Sequence, residues 1–337
     1  MSDPRVDLDV VVENLQLKAP FRISGFTFTD VPVVVASVRR QDFEGRGEAA
    51  GVYYLNDEPE GMVERIEAVR EEVEAGAGRQ DLLGLLPPGG ARNALDCALW
   101  DLESRWSGIP VWRLAGLDQP RALLTTFTLG AEAPEVMASG AVGYVHARAI
   151  KLKLTGEAGL DAERVRAVRA VRPDAWIGVD ANQGFTPDTL EQILPTLVDA
   201  RVALLEQPFK RGREADLDGL DCPIPIAADE SVLSLTDVEG LVGRVQDINI
   251  KLDKCGGLTE GLMMAEEARR LGLEVMVGTM IGTSLATAPA FILAQQCSIV
   301  DLDGPTFLIK DRSPSVVYRD GDLFAGDEVW GAAAMAA

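Results

Sequence analysis

A repeat in the second part of the chain limits its possible folds more than any other feature. From residue 123 onward, short apolar runs recur at 124–129, 150–154, 176–180, 204–206, 226–229, 248–251, 274–278 and 298–301. Residues at or next to the ends of the second to seventh runs, at 153, 180, 206, 229, 251 and 278, stand 22 to 27 residues apart. A strand, a turn and a helix together need about that many residues, so the spacing predicts parallel strands closing into a barrel. The eighth run leads into Gly304-Pro305 and not into a clear helix. The expected form is therefore a (β/α)7β barrel, a modified TIM barrel.

The residues before the repeat read differently. Strand-like runs at 10–12, 31–38 and 47–50 precede helical patterns over 59–77 and 91–107. In the second helix Ala94, Leu95, Ala98, Leu99, Leu102 and Trp106 recur at helical spacing. Strands followed by helices, without alternation, predict an α+β domain over residues 1–115. The barrel then occupies 116–309, and 310–337 reads as short strands and a small-residue tail returning to complete the first domain. Residues 20–26 and 51–56 are candidate loops carrying Phe21, Ile23, Gly25, Phe26, Tyr53 and Tyr54. Their aromatics either line a substrate pocket or pack the loops onto the barrel.

In such a barrel the C-terminal ends of successive strands converge on one mouth. Those ends hold Lys151 and Lys153, then Asp180, Glu206, Asp229 and Lys251. Lys151 and Lys153 are two apart and project to the same side of a strand. Two ammonium groups on an inward face would be costly as structure alone, and their environment favours a neutral amine able to move a proton. Three carboxylates on consecutive strands make an oxygen site for a hard cation, for which Mg²⁺ fits best. No histidine or cysteine joins the set, which disfavours zinc and copper. Asn182 and Glu230 follow the ligands as supporting partners or as turn residues. The lysines stand on strands separated by those of the carboxylates, so they should face each other across a substrate. That geometry suits removal of a proton from one side and its return from the other.

Composition sets the outer bounds. A formal net charge of −21 argues against nucleic acid or an anionic membrane as partner, and leaves a small-molecule substrate. The four cysteines form no C-x-x-C and suit a reducing, cytoplasmic setting. The residues after Met1 lack a signal-peptide plan, and no apolar run reaches membrane-spanning length. His146 is the sole histidine, which excludes chemistry needing two in one chain.

The motifs Lys151-Leu152-Lys153, Val179-Asp180-Ala181-Asn182, Leu205-Glu206-Gln207-Pro208, Ala228-Asp229-Glu230-Ser231 and Asn249-Ile250-Lys251-Leu252-Asp253-Lys254 stand in this order. Together they resemble the enolase superfamily in its muconate-lactonising subgroup, over essentially the whole chain. The resemblance implies a capping α+β domain on a (β/α)7β barrel, with Lys153 and Lys251 as the acid/base pair and Lys151 beside the first. The mandelate-racemase type needs a His-Asp dyad late in the barrel, and His146 lies upstream of the first lysine strand.

Asp301-Leu302-Asp303-Gly304-Pro305 is similar to the dipeptide epimerases, typified by the Ala-Glu epimerases. There such a pair holds the substrate's α-ammonium group, and paired carboxylates would also disfavour N-acylated substrates. The segment 91–101 is similar to that group too, with a packing role. Where those epimerases carry a loop arginine for a glutamate side chain, this chain has Gly25. The expectation is a Mg²⁺-dependent dipeptide epimerase working through an enediolate, assembled as a homo-oligomer. Its substrate contacts are expected from Asp301, Asp303, Phe21, Ile23, Gly25 and Tyr53. The alternatives are o-succinylbenzoate synthesis, N-acylamino acid racemisation, or a metal-binding barrel without turnover.

Overall fold

The computed structural model describes residues 5–332. Three antiparallel strands open the chain: β1 (Asp7–Ile23), β2 (Phe26–Arg40) and β3 (Phe43–Ala49), paired in the order β1-β2-β3. The 20–26 segment, expected as a loop, is the end of a long hairpin. Phe21↔Phe28 and Ile23↔Phe26 pair on either side of a tight turn at Ser24-Gly25. Gly25 has φ +73°, a left-handed conformation that glycine adopts without a Cβ penalty. The register slips between Gln16 and Phe21, where Pro20 has no N–H to give to a ladder.

Helices Pro59–Ala68 and Arg70–Glu74 cover the sheet, so the continuous helix expected over 59–77 breaks at Val69. Val34, Ala36 and Val38 of β2 pack against Met62, Ile66, Ala94 and Leu95 in a core of their own. Gly45 and Gly47 let helix Gly90–Ser107 lie directly on β3. A Cβ at either would stand 2.2 Å from a helix carbonyl.

The eight-stranded parallel sheet contains β5 (Thr126–Leu129), β6 (Ala149–Lys153), β7 (Trp176–Asp180), β8 (Leu204–Glu206), β9 (Ile226–Ala228), β10 (Asp247–Lys251), β11 (Glu274–Gly278) and β12 (Ile299–Asp301), in sequence order. The first expected run, 124–129, splits. Its start forms β4 (Leu123–Leu124), which pairs with β14 (Asp322–Phe324) beside β13 (Val317–Arg319) in a small separate sheet. Side chains complete the closure between β5 and β12. Thr125 Oγ1 accepts from Leu302 N at 3.0 Å, and Thr128 N donates to Asp303 at 2.6 Å.

Alternation sorts each strand. Ile150, Leu152, Ile177, Val179, Ile248 and Ile250 face the outer helices, while Trp176, Leu204, Ala227, Met276 and Ile299 plug the interior. Gly178 makes room for that plug, since a Cβ there would strike the Trp176 ring at 2.6 Å. The intervals closing at 229 and 251, the shortest of the repeat, contain only 3-10 turns (Glu214–Leu217, Leu235–Asp237, Glu239–Leu241). A full helix does not fit in them.

Buried polar groups join the capping residues to the barrel. Arg92, Asp96 and Trp100, four residues apart on one helix face, reach the 255–260 turn. Arg92 donates to Cys255 O at 2.6 Å and pairs with Glu260; Asp96 accepts from Thr259 N at 3.0 Å; Trp100 Nε1 donates to Thr259 Oγ1 at 2.9 Å. Gly257 (φ +116°) permits this approach, because a Cβ would lie 2.4 Å from the Asp96 carboxylate. This gives the 91–101 segment its packing role. Asp253 accepts from Ala50 N at 2.9 Å and Gly51 N at 3.1 Å, and Glu48 accepts from Thr283 N at 2.7 Å. The final segment also touches the capping residues, with Trp330 Nε1 donating to Arg46 O at 3.0 Å.

Candidate active site

Strand register brings the charged residues to one level. Lys153, Asp180 and Glu206 are ladder neighbours across β6, β7 and β8, and Lys251, Gly278 and Asp301 across β10, β11 and β12. Asp229 follows the end of β9. All six charged side chains are buried, as is Lys151 one layer below.

The charges neutralise one another in a chain. Lys151 Nζ lies 2.6 Å from Glu206, 2.8 Å from Asp301 and 3.2 Å from Asp180. Lys153 Nζ meets Asp180 at 2.6 Å, and Lys251 Nζ meets Asp229 at 2.6 Å. Lys151 departs from the neutral amine expected from sequence: burial works against its charged form, but Asp301, Glu206 and Asp180 outweigh it and hold its pKa well above the usual range. Lys251 is raised in the same way, with Asp229 outweighing burial. Burial likewise opposes the charge on Asp180 and Asp229. Lys153 beside the first, and Lys251 and Lys254 beside the second, reverse that and lower both. Glu206 moves up, from burial and the Asp180 charge, and Glu230 moves up from burial and Asp229.

Asp180, Glu206 and Asp229 each offer an oxygen within 4.8 Å of the others. Around them, buried acceptors lack hydrogen-bond partners among the described residues: Glu206 Oε2, Glu230 Oε2, Asn182 Oδ1 and Asn249 Oδ1. Glu206 Oε2 is close to the Lys151 ammonium but outside hydrogen-bond geometry. Converging oxygen acceptors with unsatisfied lone pairs fit a hard divalent cation.

Two supporting residues were not singled out from sequence. Asn249, fully buried, donates from Nδ2 to Glu206 Oε1 at 2.9 Å. Lys254, 2 % exposed, donates to Asp229 Oδ1 at 2.5 Å, Asp229 O at 2.6 Å and Asn249 O at 2.9 Å. Inward alternation from Lys251 points to Asn249, but Lys254 follows the strand and is placed by the turn of helix Leu252–Cys255. Gly278 leaves space for the pair beside it, since a Cβ would stand 2.8 Å from Asn249 Oδ1 and 3.0 Å from Lys251 Cε. Asn249→Leu should weaken Mg²⁺ binding by roughly 10- to 100-fold, the usual cost of losing a residue that orients a metal ligand. Calorimetric titration with Mg²⁺ measures this directly, and an unchanged affinity would deny Asn249 that role.

Above the charged layer lies a cavity walled by both domains. Phe21, Ile23, Phe28 and Tyr53 face it from the capping side, and Asp301, Asp303 and Phe307 from the barrel. Gly25 stands apart, exposed at the hairpin tip and outside this wall. Asp301 and Asp303 differ in their commitments. Asp301 is tied to Lys151 and to Thr126. Among the described residues the Asp303 carboxylate accepts from Thr128, through its backbone N–H and its hydroxyl, and burial with the neighbouring Asp301 charge pushes its pKa up to about 7. His146 is exposed and pairs at 3.6 Å with Asp320, away from the cavity. The cysteines are free, and no described helix is long and apolar enough to cross a membrane.

A capping sheet over an eight-stranded barrel, with three carboxylates bracketed by lysines at its mouth, defines an enolase-type metal-dependent enzyme. Residues 5–116 match the mandelate racemase / muconate lactonizing enzyme N-terminal domain, and 129–321 the enolase C-terminal domain-like family. The chain belongs to this family, within the enolase superfamily. It is 38% identical over 314 residues to the L-Ala-D/L-Glu epimerase of Escherichia coli, spanning 93% of this chain and 98% of that one. It is also 38% identical over 243 residues to an N-acetyl-D-glutamate racemase of Pseudoalteromonas, spanning 72% and 76%. A solved enolase family member from Agrobacterium tumefaciens, described as having homology to dipeptide epimerases and holding sodium and L-Ala-L-Glu, superposes with a TM-score of 0.94. It is 40% identical, over 97% of this chain and 100% of that one. The dipeptide epimerase of Methylococcus capsulatus was solved with Mg and L-Arg-D-Lys. It superposes at 0.89 with 29% identity, over 95% and 96% of the two chains.

Proposed function

We propose that the protein is a Mg²⁺-dependent dipeptide epimerase that inverts the α-carbon of the C-terminal residue by proton transfer between Lys153 and Lys251. The observation carrying this is the pair of buried lysines on β6 and β10, with the strands of three convergent carboxylates between them. Asp180, Glu206 and Asp229 would hold the cation, whose charge supports the enediolate left when the α-proton departs.

The rest of the work falls to the protein. One lysine takes the α-proton from one face, and the other, as an ammonium, returns a proton to the opposite face. In the reverse direction the two lysines exchange these protonation states. Lys151, held by three carboxylates, stays charged and fixes their positions. Asp303, with one partner, is the freer acceptor for the substrate's α-ammonium, and Asp301 stands beside it. A free amine brings a cation to Asp303, the carboxylate of the pair that no lysine holds, whereas an N-acyl group brings none. This favours dipeptides over N-acylated amino acids.

The test is incubation of free-amine dipeptides with the enzyme and Mg²⁺ in D₂O, followed by mass spectrometry. One deuterium should appear at the C-terminal α-carbon. Asp303→Asn should lower kcat/KM by about 10- to 100-fold, in line with loss of a charge-assisted hydrogen bond. Absence of exchange with every dipeptide, alongside turnover of an N-acylated amino acid, would replace this reading with the racemase.

A further inference from the structure

Resting on the epimerase reading above, we infer that the side chain carried by the inverted carbon is apolar or aromatic, and that Phe28 and Tyr53 select it. The argument begins with alternation on β1. Phe21 and Ile23 point into the cavity, so Arg22 between them points out, where its guanidinium pairs with Glu132 at 3.2 Å and is largely exposed. The cations that line the cavity are Lys151, Lys153 and Lys251, and each already sits on a carboxylate. None is left for a carboxylate at the end of a substrate side chain.

What faces the reacting centre from the capping domain is a set of rings. Phe28 meets Tyr53 edge-on at 5.3 Å, and Phe26 closes over both at 4.6 and 5.1 Å. Tyr53 and Phe28 line the same cavity as Glu230 and Lys251. A second pair, Phe21 and Phe307 at 4.7 Å, stands with Asp303 in the cavity wall. A glutamate side chain would be buried against these rings in a cavity that also holds Glu230, where each lining cation already sits on a carboxylate, which is unfavourable. A lysine side chain would bring its ammonium toward that of Lys251. Leucine or phenylalanine gains contact area at no such cost.

The test compares kcat/KM for L-Ala-L-Leu, L-Ala-L-Phe, L-Ala-L-Glu and L-Ala-L-Lys with Mg²⁺, read as α-deuterium incorporation in D₂O. The two apolar dipeptides should exceed Ala-Glu and Ala-Lys by about tenfold or more, the scale at which pocket contacts discriminate side chains. Phe28→Arg supplies the missing cation and should raise the Ala-Glu to Ala-Phe ratio by about tenfold. Equal or better turnover of Ala-Glu or Ala-Lys by the wild-type enzyme overturns the inference while leaving the epimerase reading intact. A ratio unmoved by Phe28→Arg overturns the role given to Phe28. Exchange with no dipeptide overturns the epimerase reading and this inference together.

Discussion

Lys153→Ala and Lys251→Ala are each expected to lose epimerisation by about a thousandfold or more, since each removes the proton carrier on one face. Both proteins should remain folded. Without Lys251, Asp229 keeps Lys254 at 2.5 Å; without Lys153, Asp180 keeps Lys151 at 3.2 Å and the Asn182 backbone N–H at 2.9 Å. Neither change strands a buried carboxylate without a partner, so the large penalty for an uncompensated buried charge does not apply. Inversion and exchange should also separate. Each variant retains a base on one face, so each should still exchange the α-hydrogen of one of the two epimers with D₂O while failing to interconvert them. The epimer that exchanges should differ between the variants. Epimerisation near the wild-type rate in either variant would remove the two-lysine assignment.

Removal of divalent cations by a chelator is expected to lower turnover by at least about a hundredfold, the scale set by loss of one preorganised stabiliser of developing negative charge. Added Mg²⁺ should restore it. The apo protein should stay folded, because Lys151, Lys153, Lys251 and Lys254 already balance much of the acidic cluster. A second readout is independent of catalysis. A cation bound only by the folded state raises the unfolding temperature by mass action, so Mg²⁺ titration should raise it progressively. The rise should be abolished in Glu206→Ala, which lacks a carboxylate aimed at the site. Full turnover in chelator, or an unfolding temperature blind to Mg²⁺, would separate the carboxylate triad from the reaction.

The barrel was legible because its strands are buried on both faces and recur at a near-constant interval. The charged residue at each strand end inherits its place from that interval. The interval alone therefore brings Asp180, Glu206 and Asp229 to one mouth. Smaller features escaped for identifiable reasons. Pro20 and Gly25 look like loop residues, yet the proline marks a register shift within β1 and the glycine sits in the tight turn that joins β1 to β2. The apolar run 124–129 gives no sign of breaking, but Thr125 turns its hydroxyl to Val300 and Leu302, and the chain divides between two sheets there.

The sequence by itself determined the fold class and the chemical character of the mouth, since both follow from local periodicity and residue type. Only the tertiary structure decided which groups are spoken for. Lys254 lies beyond its strand and acts through a turn to seat Asp229. Asp301 and Asp303 look equivalent in a D-x-D motif, but contacts from β5 and β6 leave Asp303 the less committed. Arg22 stands between the cavity-lining Phe21 and Ile23, but strand alternation sends its charge outward to Glu132. Hydrogen bonds and ion pairs between elements distant in the chain depend on register and closure, and those are properties of the assembled barrel.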